Sequence, residues 1–152
     1  MISGLAACQT APKVQSGFLS SYDGLTERSD TIRASIRERR DDAAAEAIDQ
    51  LFIEPSVLHP GAADDLSDAE TALVLAEADR QICYELSERF TVLSQQDSSA
   101  ARVRTAVTGV RPTGRAASAG SAVAGFFIPG PIGVRAPGST GGLAVESELI
   151  TT

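Results

Sequence analysis

Apolar and polar positions alternate with a period of two in two stretches of this chain and follow a helical period in a third. Residues 102–110 set Val103, Thr105 and Val107 against Arg102, Arg104 and Thr108, the pattern of a strand with one buried face. Residues 143–150 repeat it, with Leu143, Val145 and Leu149 opposed to Glu146 and Glu148. Residues 50–58 carry Leu51, Phe52, Ile53, Val57 and Leu58 around Pro55. Proline offers no amide proton to a ladder, so this strand is expected at an edge or with a bulge. His59-Pro60-Gly61 closes it as a turn. Residues 91–94 read as a short strand, and the polar link 95–100 predicts a hairpin with the strand that follows.

The helical pattern runs over 68–89. Ser67 suits the N-cap and Glu70 follows three residues later, which predicts a capping box. Asp68 and Glu70 also suit the positive end of the helix dipole. Ala72, Leu75, Ala76, Ala78, Ile82, Cys83 and Leu86 form the expected core face. On that reading Cys83 is buried and inert. Asp79 falls on the same face, and a carboxylate buried alone is costly. Arg102 and Arg104 are its candidate partners. Residues 33–46 are rich in Ala, Arg and Glu, which predicts a further helix with a solvated face. Ser16-Gly17-Phe18-Leu19 is an apolar spot in polar surroundings, expected as a strap across the core edge.

These elements predict an α+β domain: a small antiparallel sheet of about four strands, one main helix packed on it, and an insert rich in Gly, Ala and Pro. The insert spans 113–142. Between Arg115 and Arg135 it has 19 uncharged residues, near the length of a membrane span. Pro129, Gly130, Pro131 and Gly133 would break the helix that a lipid span requires. A short helix over 116–125 and a loop are expected instead. The loop's apolar tip, Phe126, Phe127 and Ile128, either meets a partner or bilayer or fills the domain's own core.

A length of 152 residues suits one domain with a core that needs no disulfide. The net charge is −7, unevenly placed: residues 1–99 hold 18 acids and 8 bases, residues 100–152 hold two Glu and five Arg. The basic surplus is too small and too free of aromatics for nucleic-acid binding. One His and two Cys give no metal-ligand spacing. No P-loop and no Gly-x-Ser-x-Gly elbow is present, so neither cofactor nor enzymatic activity is expected. The alternative in that direction is a hydrolase-like enzyme using Asp79 or His59.

The N-terminus changes the picture most. Leu5-Ala6-Ala7-Cys8, followed by a polar run over 9–16, resembles the lipobox of bacterial lipoproteins, in which the Cys receives a lipid after the signal peptide is cut. A signal peptide needs a basic stretch and an apolar stretch of about 7–15 residues before that site. Only four residues precede the lipobox here. Either the natural start lies upstream, or Cys8 is an ordinary thiol in a cytosolic interaction domain. The expected domain organisation is a signal-peptide remnant over residues 1–8, a tether and lead-in over 9–46, and a single α+β domain over 47–152 whose C-terminal end is expected to fall short of the full domain.

The ordered set of segments resembles a family of bacterial lipoproteins known as domain of unknown function 3313. The segments are Leu5 to Cys8, Ser16-Gly17-Phe18-Leu19-Ser20-Ser21-Tyr22, Phe52-Ile53-Glu54-Pro55, Leu66-Ser67-Asp68-Ala69-Glu70, residues 102–110 and residues 144–149. The resemblance implies a cell-envelope lipoprotein held on the membrane through Cys8, with envelope proteins as partners. It implies no catalytic residue. Gln9 after the Cys, in place of Asp, points to the outer membrane and a domain facing the periplasm.

Overall fold

The structure, a computed structural model, describes residues 15–28, 36–111 and 142–151. Strands β1 (Thr26–Glu27) and β2 (Arg37–Glu38) pair antiparallel as a small ribbon, followed by helix α1 (Asp42–Glu46). The main sheet holds β3 (Gln50–Ile53), β4 (Val57–Leu58), β5 (Thr91–Leu93), β6 (Ala101–Arg111) and β7 (Gly142–Ile150). Helix α2 (Asp68–Ser87) connects β4 to β5. The fold is α+β, as expected.

The helix expected over 33–46 is shorter than that. Arg37 and Glu38 pair with the ribbon, and residues 29–35 lie outside the described residues. Asp41 starts the helix late, because its carboxylate accepts the Ala44 amide at 2.9 Å and so caps the chain there.

The expected antiparallel sheet is corrected to a mixed one. β5 and β6 do not form a hairpin: both pair with β3, and both run parallel to it. β4 is also parallel to β6, and within this sheet β6–β7 is the antiparallel pair. The reason is topological. Helix α2 carries the chain back over the sheet, so β5 enters in the same direction as β3. The link 94–100 then passes β3 and starts β6 in that direction too.

β6 is the spine. β7 lines one edge of it, while β3 and β4 lie end to end along the other. Ile53 faces Val103 and Val57 faces Ala106, so four steps on one strand match three on the other. That extra residue is a bulge around Pro55, and of the two expectations for this proline the bulge is the correct one. β3 is no edge strand, since it sits between β5 and β6.

Two apolar clusters join α2 to the sheet. Leu51, Ala101 and Val103 form one, with Ile82, Leu86, Phe90 and Val92 packed on it. Val74, Ala78 and Val107 form the other, with Leu58, Leu75 and Leu143. The fully buried Leu51 and Val107 contribute about 1.5–3 kcal/mol each. The capping box is present: the Ser67 amide donates to Glu70 Oε2 at 2.9 Å and the Glu70 amide to Ser67 Oγ at 3.4 Å. The buried face of α2 is turned from the expected one. Val74, Ala78 and Gln81 are buried, whereas Ala72, Ala76 and Cys83 are exposed. Alanine is small enough to sit on either face, so counting it misplaced the stripe, and the expected burial of Cys83 fails with it.

Candidate functional site

The two faces of the sheet are finished differently. On the helix side, α2 packs over β3, β4 and β5 and meets the start of β7 at Leu143, but Val145 and Leu149 remain exposed. Between α2 and β7 lies an open groove of about 340 Å³, lined by Leu51, Ile82, Leu86, Phe90, Val103 and Leu149 with the polar Gln81, Glu85 and Ser147. The register explains the lining. Val103 stands opposite Leu149 and Thr105 opposite Ser147, so these side chains share the helix side. The volume is at the lower end of ligand sites, and the walls are apolar as such sites require. Glu148 also borders the groove, but its carboxylate is engaged on the other side by Arg104, at 3.1 Å, and by Ser20.

On the outer side the sheet carries charge. Arg102 pairs with Glu54 at 3.2 Å and Arg104 with Glu148 at 3.1 Å. Across this face runs a strap of residues 15–22. Ser16 donates both its amide (2.9 Å) and its hydroxyl (2.6 Å) to Glu146, and the Tyr22 hydroxyl donates to the same carboxylate at 2.6 Å. Arg104 donates to the Phe18 carbonyl at 2.9 Å, with its guanidinium 4.8 Å from the centre of the Phe18 ring, a cation–π contact. The strap therefore crosses the outer face of the sheet, not the edge of the core. Gly17 lets it turn, with φ of +94°, a conformation that costs other residues. Burial raises the Glu146 carboxyl, but bonds from the Ser16 hydroxyl, Tyr22 and the Ser16 amide, with the nearby His59 ring, outweigh it and hold the group below the usual carboxylate range.

The sequence-predicted residues fall in different places. Cys8 and the tip Phe126, Phe127 and Ile128 lie outside the described residues. Asp79 does not meet Arg102 or Arg104. Its Oδ1 accepts the Ser56 amide at 2.8 Å, because the bulge at Pro55 turns that amide out of the ladder toward α2. His59 lies at the end of β4, with Nδ1 3.2 Å from the Pro60 carbonyl, and its electrostatic effect lowers the Glu146 carboxyl. Asp79 and His59 are thus used by separate parts of the fold. Among the described residues no group of three or more His, Cys, Asp or Glu is placed to hold a metal. No helix among them is long and apolar enough to cross a membrane.

Sequence reasoning missed the groove and the carboxylate network. Both depend on β7 lying beside β6. The alternation of Glu146 and Glu148 was the available signal, although nothing local tied them to Ser16, Ser20 and Tyr22.

Comparison with known proteins adds one result. No curated protein and no solved structure matches the chain. A family model described as protein of unknown function, DUF3313, matches residues 14–152. That span takes in the strap, α2 and every strand of the main sheet, and the chain belongs to the DUF3313 family.

Proposed function

We propose that this protein is a lipid-anchored lipoprotein of the cell envelope, on the outer membrane and facing the periplasm, which acts by binding rather than by catalysis. The observation that carries the reading is Leu5-Ala6-Ala7-Cys8 with a polar run over 9–16 behind it. Cys8 is the lipid acceptor and the polar run its tether. Support for a binding role comes from the groove between α2 and β7, which offers apolar contact area beside exposed Val145 and Leu149. The partner in this reading is another envelope protein that presents an apolar segment, and Phe126, Phe127 and Ile128 provide a second apolar contact.

The test is a mass spectrum of the N-terminal peptide from the native host after membrane fractionation. The expected result is a mature N-terminus at Cys8 carrying diacylglycerol, recovered with the membranes. An unmodified Cys8 in the soluble fraction overturns the reading in favour of a cytosolic interaction domain.

A further inference from the structure

The strap is fastened by side chains. From Ser16 to Ser20, five consecutive backbone amides each donate to a side-chain oxygen. Ser16 donates to Glu146 Oε1 at 2.9 Å, Gly17 to the Tyr22 hydroxyl at 2.8 Å, and Phe18 to Ser16 Oγ at 3.1 Å. Leu19 donates to the Tyr22 hydroxyl at 3.4 Å and Ser20 to Glu148 Oε2 at 2.9 Å. The two intermediate acceptors, Ser16 Oγ and the Tyr22 hydroxyl, in turn donate hydrogen bonds to Glu146 Oε2, each at 2.6 Å. Four of the five amides therefore depend on Glu146, directly or through one hydroxyl.

The sheet and helix are held in another way. Their two apolar clusters contain no strap residue, and β6 is held by backbone ladders to β3, β4 and β7. Removing the strap takes nothing from either. Segments of this kind open locally at a lower free energy than the global one.

We infer that residues 15–22 are a latch: they leave the outer face as a unit while the sheet and α2 stay folded, and protonation of Glu146 opens them. An ionised carboxylate only accepts, and here it faces three donors from Ser16 and Tyr22. A protonated one carries a donor of its own and must turn one of them away. The charged groups around it are few. A positive charge on His59, at the end of β4, favours the ionised form. Glu148 lies two residues along β7 and is matched by Arg104 on β6. Ala106, the residue opposite Glu146 on β6, carries no charge. A carboxyl held below its usual range keeps the latch closed above that range and loses it as pH falls through the lowered value.

The latch has a consequence for reach, and this part alone rests on the anchor at Cys8. With the strap docked, eight residue steps join Cys8 to Ser16 and span at most about 27 Å. With it released, fifteen steps join Cys8 to Asp23 and span about 50 Å. Opening the latch nearly doubles the distance the domain can stand from the membrane.

Amide hydrogen exchange on the full chain tests the latch, read residue by residue as protection relative to the free-peptide rate. The Ser16 and Ser20 amides report the strap, and those of Val103 and Val107 report the body. In Glu146→Gln at pH 7, strap protection falls about tenfold, the size of one lost charge-assisted hydrogen bond, while the β6 amides are unchanged. In the natural chain the same selective loss appears as pH falls below the usual carboxylate range. Tyr22→Phe, which keeps the carboxylate and removes the acceptor of Gly17 and Leu19, gives the same comparison if Glu146→Gln does not fold. Strap amides that exchange only together with β6 overturn the proposal, as does strap protection unchanged in both variants. An unmodified Cys8 removes the reach argument and leaves the latch standing.

Discussion

Replacing Leu51 by Ala probes the strand order directly. Leu51 is fully buried on β3, between β5 and β6, against Ala101 and Val103. The substitution removes three carbon groups at about 0.8 kcal/mol each, or about 2.4 kcal/mol. A cavity adds to this, and Leu→Ala in a closed core costs about 2–5 kcal/mol in all. Leu51 also lines the groove beside β7, so the space it leaves opens outward and the cavity contribution stays small. The expected loss is about 2.5–3 kcal/mol. Urea unfolding followed by far-ultraviolet circular dichroism is the assay, since the chain has no Trp and two Tyr. At a slope of about 2 kcal/mol per molar, the midpoint falls by about 1.3 M with the slope unchanged. In the rejected arrangement, with β5 and β6 paired as a hairpin and β3 at the edge, Leu51 would be half-exposed. A loss under about 1 kcal/mol would therefore refute both its burial and the central place of β3.

Four further outcomes follow from the geometry. Asp79→Ala leaves the Ser56 amide without its carboxylate partner and destabilises by about 1–3 kcal/mol; Ser56→Ala removes a buried hydroxyl that has no partner among the described residues and is neutral or stabilising by about 1 kcal/mol, both read by the same urea titration. Ser67→Ala breaks the capping box of α2 and costs about 1 kcal/mol, measured as a lower thermal midpoint. Cys83, exposed on α2, reacts with a maleimide in the folded protein, detected by mass spectrometry of its peptide; labelling only after denaturation would restore the buried reading.

The features legible in the sequence are those set by neighbours along the chain. Ser67 and Glu70 are three residues apart, so the start of α2 could be read without the rest of the fold. The strands expected over 102–110 and 143–150 followed from alternation, and the missing amide proton of Pro55 predicted an edge position or a bulge. The face of α2 was less legible. Its stripe is built largely of alanines, which are tolerated on either side, and Val74 rather than Cys83 turned out to define it. The polar network was illegible for a different reason. Ser16 and Glu146 are 130 residues apart, and neither residue type by itself implies the other.

The sequence by itself determined the start of the main helix, the presence of strands over 102–110 and 143–150 and which of their sides are apolar, the −7 charge and a start that resembles a lipobox. The tertiary structure alone decided which strands pair and in which direction. Alternation is the same for parallel and antiparallel neighbours, so it cannot place β3 between β5 and β6. That choice comes from the burial that α2 achieves when it crosses back over the sheet. The groove, the Asp79 contact and the strap on Glu146 and Glu148 all follow from the resulting arrangement, because each joins residues brought together only by packing.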